Sequence, residues 1–159
     1  MSRKVSKYLA VLAIILFLIG KFHGAIIHSH PRAIVTSASE TAFIVAVLAD
    51  LGAPKTPADI SSMASWYLHE WSSWPPGAAN NPWDSTLNAP GATDFNTFGN
   101  GYHVRNYPSA TEGAAETAQT LLSGYPGIVA ALRSGRGVCG GSFSGEFLAW
   151  SGNAYSSVC

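Results

Sequence analysis

The sequence has few charged residues. Asp, Glu, Lys and Arg make up 11% of its 159 residues, whereas a typical globular domain has about 25%. Bases are especially scarce beyond the N-terminal segment, because residues 37–159 hold four bases against nine acids, a net charge of −5. Nucleic-acid binding needs a basic face, so this balance argues against a nucleic-acid partner. A carbohydrate ligand, held by aromatic rings and neutral hydrogen-bonding groups, is compatible with it.

Cysteines are also few, and their spacing predicts no metal site. Only Cys139 and Cys159 are present, and no Cys/His cluster has the spacing of a zinc site. The pair His69-Glu70 lacks the second His of a zinc-protease motif, because position 73 is Ser. We therefore expect no metal and no cofactor. In an exported protein, two cysteines predict a disulfide that ties the tail to the body, and two free thiols are the alternative.

One long apolar run lies near the N terminus. Residues 8–20 are thirteen residues without a charge, and three bases precede them. This layout is typical of a signal peptide, and extension to residue 27 gives the length of a membrane span. We expect residues 1–36 to be a signal-anchor or a cleaved signal peptide with a juxtamembrane linker. Residues 37–159 are then expected to be extracytoplasmic, either membrane-anchored or secreted, or to belong to a virion.

The remaining chain predicts an α+β domain that is mostly helical. Between the second and third predicted helices, residues 75–110 are rich in Pro, Gly and Asn and show no helical period. Short strands at Phe95–Phe98 and Tyr102–Asn106, joined by a Gly-Asn-Gly turn, predict a small β-hairpin. Apolar residues at helical spacing, with capping residues at the ends, predict helices over residues 39–51, 57–74, 111–123, 126–133 and 145–150.

Glu70 is the strongest candidate for a catalytic residue. It is predicted near the end of the second helix, beside Trp66 and Trp71. A carboxyl group against aromatic rings is poorly hydrated, which raises its pKa and allows it to protonate a glycosidic oxygen near neutral pH. The alternative is a solvated acid on a helix face, which is the ordinary role of a helix glutamate.

Several further segments follow Glu70 in a recognisable order. They are Asn81-Pro82, Gly91–Asn96, Arg105–Ser109, Thr120–Leu132 and Glu146–Tyr155. This order resembles a lysozyme or lytic-transglycosylase-like domain of actinobacterial secreted proteins and actinobacteriophage hydrolases, over roughly residues 40–159. The resemblance implies a lysozyme-like fold, cleavage of peptidoglycan, and Glu70 as the general acid/base.

A second carboxylate would distinguish a hydrolysing muramidase from a lytic transglycosylase. Asp84 and Asp94 lie in the long loop and are candidates for activating water, with turn or capping roles as the alternatives. We assign Asp84 as the second catalytic residue. If neither aspartate reaches the cleft, an internal sugar hydroxyl attacks instead, as in lytic transglycosylases that use one glutamate.

Polar and aromatic side chains of the same region are candidates for binding glycan strands. Those assigned to the substrate are Asn81, Tyr102, Asn106 and Tyr107, and each has a turn or core role as its alternative. Trp66, Trp71, Trp74 and Trp83 are further candidates, of which we expect at least two to be core residues. The sequence thus favours a peptidoglycan-cleaving glycosidase that contacts the membrane through residues 8–27. A non-catalytic peptidoglycan-binding relative and a membrane-tethered assembly protein remain open.

Overall fold

The structure is a computed structural model that describes residues 38–71, 74–97, 101–155 and 157–159. These residues belong to one compact unit, Ala33–Cys159. The predicted leader, residues 1–36, lies outside the described residues, and so do residues 98–100 of the predicted hairpin turn. Within the described ranges, the helices are all too short or too polar to span a bilayer.

The described residues form five α-helices and a two-stranded antiparallel sheet, which confirms the predicted α+β class. The order along the chain is α1 (Ala38–Asp50), α2 (Pro57–Glu70), β1 (Thr93–Thr97), β2 (His103–Asn106), α3 (Ala110–Gly124), α4 (Pro126–Arg133), a 3-10 turn (Gly140–Phe143) and α5 (Ser144–Ser151). Helix α2 ends four residues earlier than predicted, because Trp71 turns to an extended backbone at φ −131° and ψ 138°. The hairpin contains a bulge between Asp94 and Asn96, where the pairing register shifts.

The N-terminal turns of α2 form hydrogen bonds with residues 137 and 138, just before Cys139. Thr56 caps the helix by accepting the Asp59 N–H at 3.1 Å, in the pattern expected of an N-cap. The Asp59 carboxylate is fully buried and accepts the Gly137 N–H at 2.9 Å. One turn later, the Ser62 hydroxyl accepts the Val138 N–H at 2.9 Å. Hydrogen bonds with α2 therefore fix the position of the two residues that precede Cys139.

Replacing Asp59 by Ala should destabilise the domain. The change leaves the buried Gly137 N–H without its acceptor and removes an acid from the first turn of a helix. We expect the free energy of unfolding to fall by about 2–3 kcal/mol, measured by urea unfolding with tryptophan fluorescence. Asp50→Ala at the exposed end of α1 is the matched control, with an effect of about 0.5 kcal/mol or less. Equal unfolding midpoints for the two variants would contradict the role of Asp59.

An aromatic core fixes the end of α2. The Trp66 ring is fully buried, and its centroid lies 5.0 Å from Phe147 and 5.1 Å from Trp150, both in α5. Trp83, which is 1% exposed, comes from the long loop and packs on Trp66 with ring centroids 6.1 Å apart. Burial of large aromatic side chains dominates core energetics. The last turns of α2 are thus packed between α5 and the loop.

The predicted disulfide is confirmed. Cys139 and Cys159 are bonded, with their Cα atoms 5.2 Å apart and a sequence separation of 20 residues. Closing a loop of this length stabilises the fold by roughly 3 kcal/mol through the entropy of the unfolded chain. The bond also returns the C-terminal tail to the body of the domain.

Candidate active site

Glu70 is the last residue of α2 and is half-buried. Its Oε1 atom accepts a hydrogen bond from Trp66 Nε1 at 2.9 Å, one helical turn earlier. Because the Trp66 ring is locked in the core, this donor is held in one position. The Glu70 carboxyl group therefore has a defined orientation in the free protein.

The pKa of Glu70 is raised to about 7. Burial is the largest cause, since it penalises the charged form, and the negative charge of Asp84 raises the pKa further. Hydrogen bonds from Trp66 and Tyr155 act in the opposite direction. About half of the molecules therefore carry the proton on Glu70 at pH 7, as a general acid requires.

Asp84 lies in the loop that follows Trp83 and is also half-buried. Its backbone has φ 53°, a left-handed conformation that Asp tolerates better than most residues. Asp84 Oδ1 accepts a hydrogen bond from Trp71 Nε1 at 3.2 Å. Burial raises the pKa of Asp84 to about 6, and the Trp71 hydrogen bond opposes the rise. Most molecules therefore carry an ionised Asp84 at pH 7.

Glu70 and Asp84 line one cleft of about 350 Å³. Its other lining residues are His69, Ser85, Thr86, Thr120, Tyr125, Trp150, Ser151, Asn153 and Tyr155. Apart from the two carboxyl groups and His69, these side chains are hydroxyl, amide and aromatic groups, and no described Lys or Arg is among them. The cleft therefore suits a neutral ligand rich in hydroxyl and amide groups.

Two aromatic rings form one wall of the cleft. The centroids of Tyr125 and Trp150 lie 5.0 Å apart, with the ring planes inclined at 61°. Trp150 is also held by its indole Nε1, which donates to the carbonyl oxygen of Trp83 at 3.1 Å. Fixed, partly exposed rings present an apolar face beside a polar edge, which is the surface that a sugar ring needs.

Comparisons with protein-family models, with curated proteins and with solved structures all returned nothing. The geometry of the cleft is therefore the basis for assigning a function. No group of three His, Cys, Asp or Glu residues that could hold a metal ion occurs in the part of the chain that the structure describes.

Two of the predicted glycan-binding residues are buried and are not among the residues that line the cleft. Asn81 is fully buried, and its Nδ2 donates to the carbonyl oxygens of Arg105 and Ser85 at 2.7 and 2.8 Å. Tyr107 is 2% exposed, and its hydroxyl donates to the Leu87 carbonyl oxygen at 2.7 Å. These bonds join the long loop to β2, so both residues shape the loop that carries Asp84.

The other two predicted glycan-binding residues lie at the hairpin, and neither is among the residues that line the cleft. Asn106 Oδ1 accepts the Ala79 N–H at 2.8 Å, which ties the loop to β2. Tyr102 is 62% exposed, just before β2. Asp94, the alternative second carboxylate, is also absent from the cleft lining and pairs with Arg105 on the opposite strand.

Of the four tryptophans considered for a sugar site, Trp66 and Trp83 are core residues, as expected for at least two. Sequence reasoning missed the fifth, Trp150, together with the other cleft residues from the C-terminal third of the chain: Thr120, Tyr125, Ser151, Asn153 and Tyr155. The predicted disulfide was the available signal for the tail residues, because it brings the C terminus back to the domain.

Proposed function

We propose that this protein is a peptidoglycan-cleaving glycosidase in which Glu70 is the general acid and Asp84 is the second carboxylate. One observation supports this most strongly: two half-buried carboxyl groups share a cleft, and burial raises the pKa of Glu70 to about 7 and that of Asp84 to about 6. Between pH 6 and 7 the first therefore holds a proton while the second is ionised. Glycosidic cleavage by a pair of carboxyl groups uses this division of roles.

The hydrogen bond from Trp66 indicates which of the two Glu70 carboxyl oxygens carries the proton. Oε1 accepts the indole N–H, so in the acid form Oε2 carries the proton. Glu70 transfers this proton to the glycosidic oxygen as the bond to the anomeric carbon breaks. The negative charge of Asp84 stabilises the positive charge that develops on the sugar, and its carboxylate accepts the proton of the attacking water.

The lining of the cleft supports a neutral saccharide as the substrate. The Thr86 hydroxyl and the Asn153 amide offer hydrogen bonds to sugar hydroxyl and acetamido groups, and the Tyr125–Trp150 wall offers an apolar face. A polyanionic glycan would meet two carboxyl groups with no described Lys or Arg beside them. Electrostatic repulsion therefore disfavours acidic polysaccharides.

Peptidoglycan is proposed among neutral glycans for two reasons. The order of segments over roughly residues 40–159 resembles lysozyme and lytic-transglycosylase-like domains, and we propose that the helical domain with its small hairpin has a lysozyme-like fold. The predicted leader and the Cys139–Cys159 disulfide support an extracytoplasmic location, where peptidoglycan is encountered.

Hydrolysis is proposed over transglycosylation, because a second carboxylate lines the cleft beside the acid. A non-catalytic peptidoglycan-binding role is the second candidate. The Tyr125–Trp150 wall favours it, since fixed aromatic rings can hold a sugar without any chemistry.

Digestion of purified peptidoglycan, followed by mass spectrometry of the soluble products, tests this proposal. We expect muropeptides with reducing ends, because Asp84, the proposed base that activates water, lines the cleft together with Glu70. Products with 1,6-anhydro ends would reject the role of Asp84 as the base. Co-sedimentation with insoluble peptidoglycan without release of products would favour the binding role, and neither binding nor release would reject both candidates.

The plot of kcat/KM for cleavage against pH should be narrow and bell-shaped. kcat/KM is expected to fall below about pH 6, as Asp84 gains a proton, and above about pH 7, as Glu70 loses its proton. Initial rates on a soluble labelled glycan at constant ionic strength from pH 4 to 9 measure the profile. A rate that stays constant up to pH 9 would contradict general-acid catalysis by Glu70.

A further inference from the structure

The C-terminal tail that follows α5 is fixed against α2 at several points. The Cys159 N–H donates to Ser65 Oγ at 2.9 Å, and the disulfide joins Cys159 to Cys139. His69 Nδ1 lies 2.8 Å from the Ser65 carbonyl oxygen and donates to it, which leaves Nε2 to accept the Ser157 hydroxyl at 2.8 Å. The tail is thereby attached to the last two turns of α2, the turns that end at Glu70.

Tyr155 has an unusual backbone conformation within this tail. Its φ is 41°, in the left-handed region that an aromatic residue rarely adopts. Its ring lies between His69 and Phe147, with centroid distances of 5.2 and 5.8 Å. A strained residue keeps such a conformation only where its surroundings impose it, and such residues cluster at functional sites.

The Tyr155 side chain acts on Glu70 in two opposite ways. Hydrogen bonding from its hydroxyl group lowers the pKa of Glu70. Its ring lines the same cleft, and an aromatic ring beside a carboxyl group reduces hydration of the charged form, which raises the pKa. Burial and the nearby Glu70 charge raise the pKa of Tyr155, so its hydroxyl remains a donor at neutral pH. The other groups around Glu70 are the Trp66 indole, Asp84, and the titratable His69 and Tyr125 of the cleft lining.

We propose that Tyr155 is a positioning residue for Glu70 and that the Cys139–Cys159 disulfide holds it in place, which makes the C-terminal tail part of the catalytic cleft. This inference rests on the proposed glycosidase function. It assigns to the disulfide a role in the chemistry of the cleft in addition to its role in stability. Loss of the disulfide removes the covalent bond that keeps the segment carrying Tyr155 against α2.

Two substitutions of Tyr155 in the full-length chain should move the pH profile in opposite directions. Tyr155→Phe keeps the ring and removes the hydrogen bond, so the alkaline limb of kcat/KM should shift upward by about 0.5 pH unit. Tyr155→Ala admits water to Glu70, so the same limb should shift downward by about 1 pH unit. If Tyr155 had only a structural role, Tyr155→Phe would not shift the alkaline limb. An unchanged limb in both variants, or shifts in one direction, would overturn the proposal.

Breaking the disulfide should reproduce the effect of Tyr155→Ala. After reduction and alkylation, or in the Cys139→Ser/Cys159→Ser variant, we expect the alkaline limb to move downward by about 1 pH unit. Alkylation without reduction is the control, because the chain has only these two cysteines and they are bonded. A profile identical to that of the intact protein would show that the disulfide does not hold Tyr155.

A direct titration separates failure of this inference from failure of the proposed function. The ¹³C signal of the Glu70 carboxyl carbon, followed by NMR across pH, reports its pKa without any substrate. Opposite shifts in the Phe and Ala variants would support the positioning role even if the wild type cleaved no peptidoglycan. If the wild type cleaves but Glu70 titrates identically in all variants, the positioning role is wrong and the glycosidase function stands.

Discussion

Glu70→Gln is expected to abolish peptidoglycan cleavage, lowering kcat by about 10³-fold, the range of a lost general acid. Gln has nearly the same shape, and its amide oxygen can still accept the Trp66 N–H that Glu70 Oε1 accepts at 2.9 Å. What it lacks is a carboxyl proton to give to the leaving oxygen. The measurement is the rate of product release from purified walls, supported by zymography.

Glu112→Gln is the matched control, because Glu112 lies in the first turn of α3 and is not among the residues that line the cleft. It is expected to retain the wild-type rate. Cleavage that survives in Glu70→Gln at more than one-tenth of the wild-type rate would reject Glu70 as the acid. Equal losses in the two variants would point to a general effect on the protein and would also count against the assignment.

Glu70→Gln should be more stable than the wild type at alkaline pH. Unfolding is then excluded as the cause of its inactivity. The folded-state pKa of Glu70 is raised to about 7, so the wild type loses stability as pH rises from the ordinary glutamate pKa through 7. Gln carries no charge at any pH. We therefore expect the melting temperatures to agree near pH 4 and the variant to melt higher at pH 8, as is common where function keeps a buried charge.

Asp84→Asn is expected to lower kcat by about 10²-fold and to change both limbs of the pH profile. The acidic limb should disappear, because no carboxylate with a pKa of about 6 remains to be protonated. The alkaline limb should move to lower pH, because the charge of Asp84 helps to raise the pKa of Glu70. Asn tolerates the left-handed backbone at φ 53° and can accept the Trp71 N–H, so the loop should keep its shape.

Asp50→Asn at the exposed end of α1 serves as the control for this substitution and should leave rate and profile unchanged. Retention of a full rate and an acidic limb in Asp84→Asn would reject Asp84 as the second carboxylate. The products of the variant carry further information. If an internal sugar hydroxyl replaces water when Asp84 is neutralised, the residual products should carry anhydro ends.

Local sequence patterns were sufficient for the elements that depend on nearby residues. Thr56 and Pro57 mark the start of α2, and either Ser109 or Thr111 was expected to cap α3, where the structure has Ser109. Capping and helical periodicity act over a few residues, so local patterns suffice for them. The position of Glu70 beside Trp66 follows from the same rule, since residues four apart lie on one face of a helix. With only two cysteines available, the disulfide pairing had one solution.

The tertiary structure decided which of the candidate side chains share the cleft with Glu70, and it added Tyr155, which the sequence had not suggested. Asp84 comes from a loop without periodicity, and Tyr155 comes from the far end of the chain. Asn81, which was expected to bind glycan, is instead buried and hydrogen-bonds the same loop to β2. The physical reason is that such contacts depend on how the loop and tail close against the core. Closure is determined by packing of many distant residues and by the disulfide, and the pattern of neighbouring residues does not encode it.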